Sequence, residues 1–141
     1  MRARVIFGAL VVFGASAIAM SVTVRAETIR FNAQLTDDLD TPAKPGAGKG
    51  RAQLSLDTAS KVASWTIEYS GLVQPPKRIA CGADVPGGPS ILLTSNLASP
   101  ITGSKALTDA EITTLTTGRW VCVVGGEGDE AEIGGELRQV R

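Results

Sequence analysis

Residues 51–72 read RAQLSLDTASKVASWTIEYSGL, and they decide the fold class. Ala52, Leu54 and Leu56 alternate with polar residues. After the turn-forming DTAS (Asp57 to Ser60), Ala63, Trp65, Ile67 and Tyr69 alternate with Val62, Ser64, Thr66 and Glu68. A period of two puts successive side chains on opposite faces of a strand, so each run is a half-buried strand. Two such runs joined by a short polar turn predict a β-hairpin.

Outward from this hairpin the pattern repeats. TIRFNAQL (28–35) alternates through Ile29, Phe31, Ala33 and Leu35. TDDLDTPAKPGAGKG is a charged Gly/Pro loop with nothing to pack. Downstream, RIAC, SILLTSNL, RWVCVV and EIGGELRQV read as further short strands, divided by VQPPKR, a Gly/Pro loop and the acidic GGEGDEAE. One helix is expected over LTDAEITTL. Thr108 and Glu111 form a capping box, Leu107 and Ile112 sit as a hydrophobic staple, and Gly118 is expected to end the helix in a left-handed conformation. About seven short strands and one short helix, without βα alternation, predict an all-β fold: an antiparallel β-sandwich or Greek-key barrel.

The first residues read as an address. Arg2 and Arg4 precede the uncharged VIFGALVVFGASAIAM, and Val24 and Ala26 offer a small-residue cleavage pattern. The expected division is a signal peptide over 1–26, cut between Ala26 and Glu27, and a β-domain over 27–141. A cut after Ala19 is a second possibility. A retained anchor is the competing reading, because Val5 to Val24 nearly reaches the ~20 apolar residues of a spanning helix. Cleavage implies a secreted or periplasmic protein that leaves the membrane.

Composition removes several function classes. Residues 27–141 carry 11 basic and 14 acidic side chains, with no basic patch for nucleic acid. Their aromatic residues, Phe31, Trp65, Tyr69 and Trp120, are too scattered to stack bases. With no histidine in the chain, a Ser-His-Asp triad is impossible. A catalytic thiol lacks both an imidazole base and a C-x-x-C pair. No catalytic residue, metal ligand or cofactor is assigned, and no enzyme activity is expected. Glu127, Asp129, Glu130 and Glu132, like Asp37, Asp38 and Asp40, read as solvated loops. The Glu127–Glu132 stretch lacks the EF-hand spacing for calcium. Trp65 and Trp120 read as core.

Taken in order, IRFNAQL, GKGRAQLSLDTASKVASWTIEYSGL, ILL, LTDAEITTLTTGRWVCVV and EIGGEL resemble the CHRD (chordin-type) domain over nearly all of 27–140. The family reads F-x-A-x-L, G-x-A-x-L-x-L, Y-x-G-L, H-I-H-G, L-T-…-L-x-x-G, V-N-V-H and G-G-E-I. This chain is a degenerate copy: Ile79, Ala80, Cys81 and Gly82 stand where the family has H-I-H-G, and Val121, Cys122, Val123 and Val124 where it has V-N-V-H. Ile79 and Val124 cannot coordinate a metal, so histidine-based metal chemistry does not carry over.

The resemblance implies that these two segments face each other. In an oxidising compartment it then implies a Cys81–Cys122 disulfide. Two alternatives stay open at this point: a buried pair of reduced thiols, or a metal-handling or redox pair of thiolates suited to copper(I) or zinc. The implied role is a small exported binding or structural module. The family's growth-factor-type ligands are not carried to a lone copy, so its protein partner, outside the cell or in the periplasm, is left unspecified.

Overall fold

The computed structural model describes residues 14, 18–23, 25–37, 48–126 and 131–141. Their strands are β1 (Thr28–Thr36), β2 (Lys49–Asp57), β3 (Val62–Ser70), β4 (Arg78–Ala83), β5 (Ser90–Leu93), β6 (Ile101–Ala106), β7 (Trp120–Gly125) and β8 (Ala131–Val140). One helix, α1 (Asp109–Thr117), lies between β6 and β7. All strands join one antiparallel sheet in the order β5-β4-β7-β8-β1-β2-β3-β6. The expected all-β antiparallel class holds, as a curled half-barrel.

The curl follows from the alternation. Phe31, Ala33 and Leu35 of β1, Ala52, Leu54 and Leu56 of β2, and Ala63 and Ile67 of β3 are buried, while their sequence neighbours are not. The buried set is wholly apolar. One nine-residue helix cannot cover eight strands, so the sheet wraps round its own apolar face. Two glycines permit close approach in the bend. A Cβ at Gly135 would overlap the carbonyl oxygen of Gln34, and one at Gly50 would overlap that of Glu68.

The β2–β3 hairpin forms across the predicted turn. Asp57 Oδ1 accepts from the N–H groups of Ala59 (2.9 Å) and Ser60 (3.0 Å), and Lys61 takes φ 60° to re-enter the sheet. The β5–β6 connection crosses between the two sheet edges. Its anchor is Tyr69 of β3: the hydroxyl donates to Leu97 O (2.6 Å) and the backbone N–H to Ser99 Oγ (3.1 Å).

Three expectations change. The described residues form one strand beyond the seven read from the pattern: β6, ITGSKA, carries only Ile101 as a buried side chain and has no apolar period to announce it. The capping box is half made. Thr108 Oγ1 accepts from Glu111 N–H (3.2 Å), but Glu111 Oε2 turns toward Lys105 Nζ, 3.6 Å away. Gly118 is extended (φ −100°), not left-handed. What it permits is closeness: its N–H donates to Thr114 O, and a Cβ there would lie 2.7 Å from that oxygen.

Candidate functional site: the Cys81–Cys122 staple and its surroundings

β4 and β7 pair antiparallel with Ile79 opposite Val124 and Cys81 opposite Cys122. Alternation turns all four inward, where they are 1%, 0%, 6% and 1% exposed. The four positions singled out by the sequence therefore form one patch. Two hold hydrocarbon. The other two are bonded, with S–S 2.04 Å and Cα atoms 4.0 Å apart. Such closeness belongs to the non-hydrogen-bonded type of antiparallel pair, where side chains are nearest. Ile91 of β5 flanks Cys81, and Gly135 of β8 lies opposite Cys122.

The predicted Cys81–Cys122 disulfide is present. Each sulfur is the other's partner, so neither acts as a thiolate ligand or nucleophile in this state. Among the described residues no group of three or more His, Cys, Asp or Glu side chains is placed to hold a metal ion.

The remaining candidates have structural partners. Trp120 is 1% exposed, and its indole N–H donates to Thr114 Oγ1 (3.2 Å), tying α1 to β7. Trp65 is half-buried and lies over Gly103 of β6, whose missing side chain leaves room for the ring. Glu132 accepts from the N–H of Val73. Glu127, Asp129 and Glu130 lie outside the described residues, as do Asp38 and Asp40. The signal segment up to Ala26 is largely outside them as well, but Ile18, Met20 and Val22 are described and are 85%, 87% and 83% exposed. Among the described residues no helix is long and apolar enough to cross a membrane.

Elsewhere the charged groups pair at the surface: Arg51 with Glu68 (2.7 Å), Lys61 with Asp109 (2.6 Å), and Arg119 with Asp84 (3.3 Å) and Glu136 (3.6 Å). The carboxyl of Asp57 is held below its ordinary pKa, chiefly by the Ser60 N–H and then by that of Ala59. An open groove of about 400 Å³ is lined by Tyr69, Leu72, Val73, Gln74 and the Pro75–Pro76 pair.

One feature of the surface is absent from the sequence reading. Leu92 of β5, Ala80 of β4 and Val123 of β7 stand side by side on the outer face, and Leu92 is 57% exposed. The signal was there to find: residues 85–104, which include β5, hold no charged side chain. Comparison of the chain with known protein families, curated proteins and solved structures finds no match.

Proposed function

We propose that the chain is exported, is cut between Ala26 and Glu27, and serves as a non-catalytic binding or structural module of the CHRD type. The observation that carries this reading is the buried Cys81–Cys122 bond. Disulfides form and persist where the surroundings oxidise, outside the cytosol.

Two further observations support it. Among the described residues the first strand begins at Thr28, two residues after Ala26. Ahead of it, the apolar side chains at positions 18, 20 and 22 are exposed, which fits a leader that folding does not use. The site itself offers hydrocarbon and a closed disulfide where the resembling family has three imidazoles and an asparagine.

The test is the intact mass and N-terminal sequence of the protein recovered from its host without reductant. A chain starting at Glu27, two hydrogens lighter than its reduced form and inert to alkylation, is the expected result. A chain that keeps Met1 on membranes, or one whose thiols both alkylate, overturns the reading.

A further inference from the structure

The two edges of the sheet are finished differently. At the β6 edge the strand is polar from Thr102 to Lys105, and Lys105 is drawn to Glu111 of α1. At the β5 edge the strand is Ser-Ile-Leu-Leu, and the neutral stretch 85–104 runs through it. Exposed edges of soluble proteins are ordinarily guarded by charge, because unpaired N–H and C=O groups invite another strand.

Strand geometry fixes which backbone groups of β5 face the open edge. Ala83 N–H donates to Pro89 O, so in this antiparallel ladder residues 89, 91 and 93 turn their backbone groups toward β4. Ser90 and Leu92 turn theirs to the open edge. Leu92 also presents its side chain on the outer face. Beyond β5, β4 is bolted to β7 by the disulfide, so the edge stands on a fixed support.

We propose that β5 pairs antiparallel with β5 of a second copy of this chain, about a two-fold axis through Leu92. Antiparallel partners opposite each other point to the same face. Centring the axis on Leu92 keeps both outer faces outward and sets Ile91 opposite the second copy's Leu93 on the inner side. The outer face then carries one apolar row, Val123–Ala80–Leu92, continued by the same three residues in reverse. A centre between Ile91 and Leu92 would put a core side chain on the wet face.

Charge favours the same occupant and direction. No charged side chain lies on β5, so two copies bring no like charges together there. Arg78, with Lys77 before it, stands at one end of β4 and Asp84 just past the other. Antiparallel pairing sets the basic end of one copy toward the acidic end of the second. Parallel pairing would set like against like.

The full chain, expressed from its own start and purified as the cell leaves it, is tested by sedimentation velocity across the micromolar range. The expected mass is twice that of one chain. Leu92→Lys places like charges opposite each other and should halve the mass while leaving the circular dichroism and the disulfide unchanged. A second variant reads position directly. Leu92→Cys, treated with oxidised glutathione as electron acceptor, should give a reducible covalent dimer, whereas Thr102→Cys on the β6 edge should not. A wild-type protein of single-chain mass throughout, a dimer that survives Leu92→Lys, or equal cross-linking at both edges overturns the proposal. So does a single chain that takes up a foreign leucine-rich peptide at β5, which would give the edge to a different partner.

Discussion

Asp57 and Val62 meet across a four-residue turn, whereas Cys81 and Cys122 meet across a sequence separation of 41. In the first region β2 and β3 are aligned over nine residue pairs, with the register set by the Asx turn at Asp57 and by strict alternation. The second holds six pairs between β4 and β7, and the chain runs through β5, β6 and α1 before it returns. Closing a long loop costs entropy before any contact rewards it. The hairpin region needs no covalent aid. In the distant pairing a disulfide lifts much of that cost by restricting the unfolded chain. The lesson is that covalent reinforcement lies where sequence separation, not weak packing, is the difficulty: both regions are equally dry inside, Leu56 and Val124 each being 0% exposed.

The largest expected effect lies on the seam between the regions, where β8 joins β7 to β1. Gly135→Ala puts a methyl group onto the Gln34 carbonyl, and moving either strand disturbs both regions together. A loss of about 4–5 kcal/mol is expected in denaturant unfolding. A loss under 1 kcal/mol would show the two regions to be less tightly joined than their register implies.

Next in size is removal of the staple. The double variant Cys81→Ala/Cys122→Ala is expected to lose about 2–4 kcal/mol, against the ~4 kcal/mol that loop-closure entropy gives for a ring of this length. Its circular dichroism should stay that of the same β-protein. An unchanged melting temperature in oxidising buffer would break the comparison outright.

Thr108→Ala removes the acceptor for Glu111 N–H and should cost about 1 kcal/mol. Because α1 lies inside the disulfide-closed loop, that loss should also appear in the reduced protein, read by thermal melts with and without reductant. The smallest effect belongs to the hairpin turn. Asp57 has its folded pKa lowered from 3.8. Its contribution is therefore complete above the unfolded pKa and disappears as pH falls through the folded one. Asp57→Asn should lower stability slightly near neutrality, where the carboxylate's contribution is complete, and flatten the acid limb so that variant and wild type converge below about pH 4. An identical acid limb in variant and wild type would remove the turn from the explanation of register.

β1 and the hairpin strand β2 beside it were readable because each has one wet and one dry face. Arg30, Asn32 and Gln34, then Arg51, Gln53 and Ser55, point out while their neighbours point in. β6 escaped because an edge strand recruited by β3 needs only one buried anchor, Ile101. Gly118 follows a different rule from the one its position suggests: helix ends favour left-handed glycine, but here the limit is the distance to Thr114 O. At the staple, the pairing of Cys81 with Cys122 followed from the family resemblance. Their direct opposition, with Ile79 against Val124 beside them, depends on a register that no local pattern in either segment states. β4, β5 and β7 carry apolar residues on both faces, so alternation could not assign an inside to them.

The Cys81–Cys122 bond also makes a closed covalent ring of residues 81–122, within which lie the loops Asp84–Pro89 and Thr94–Pro100. Exposed loops are where proteases cut first. A single cut in either loop opens the ring without releasing a fragment, so the damaged molecule stays one molecule until a reductant reaches a bond that its own core shields from water. The same bond that offsets folding entropy is a form of damage tolerance. It would be seen as one band without reductant and two with it.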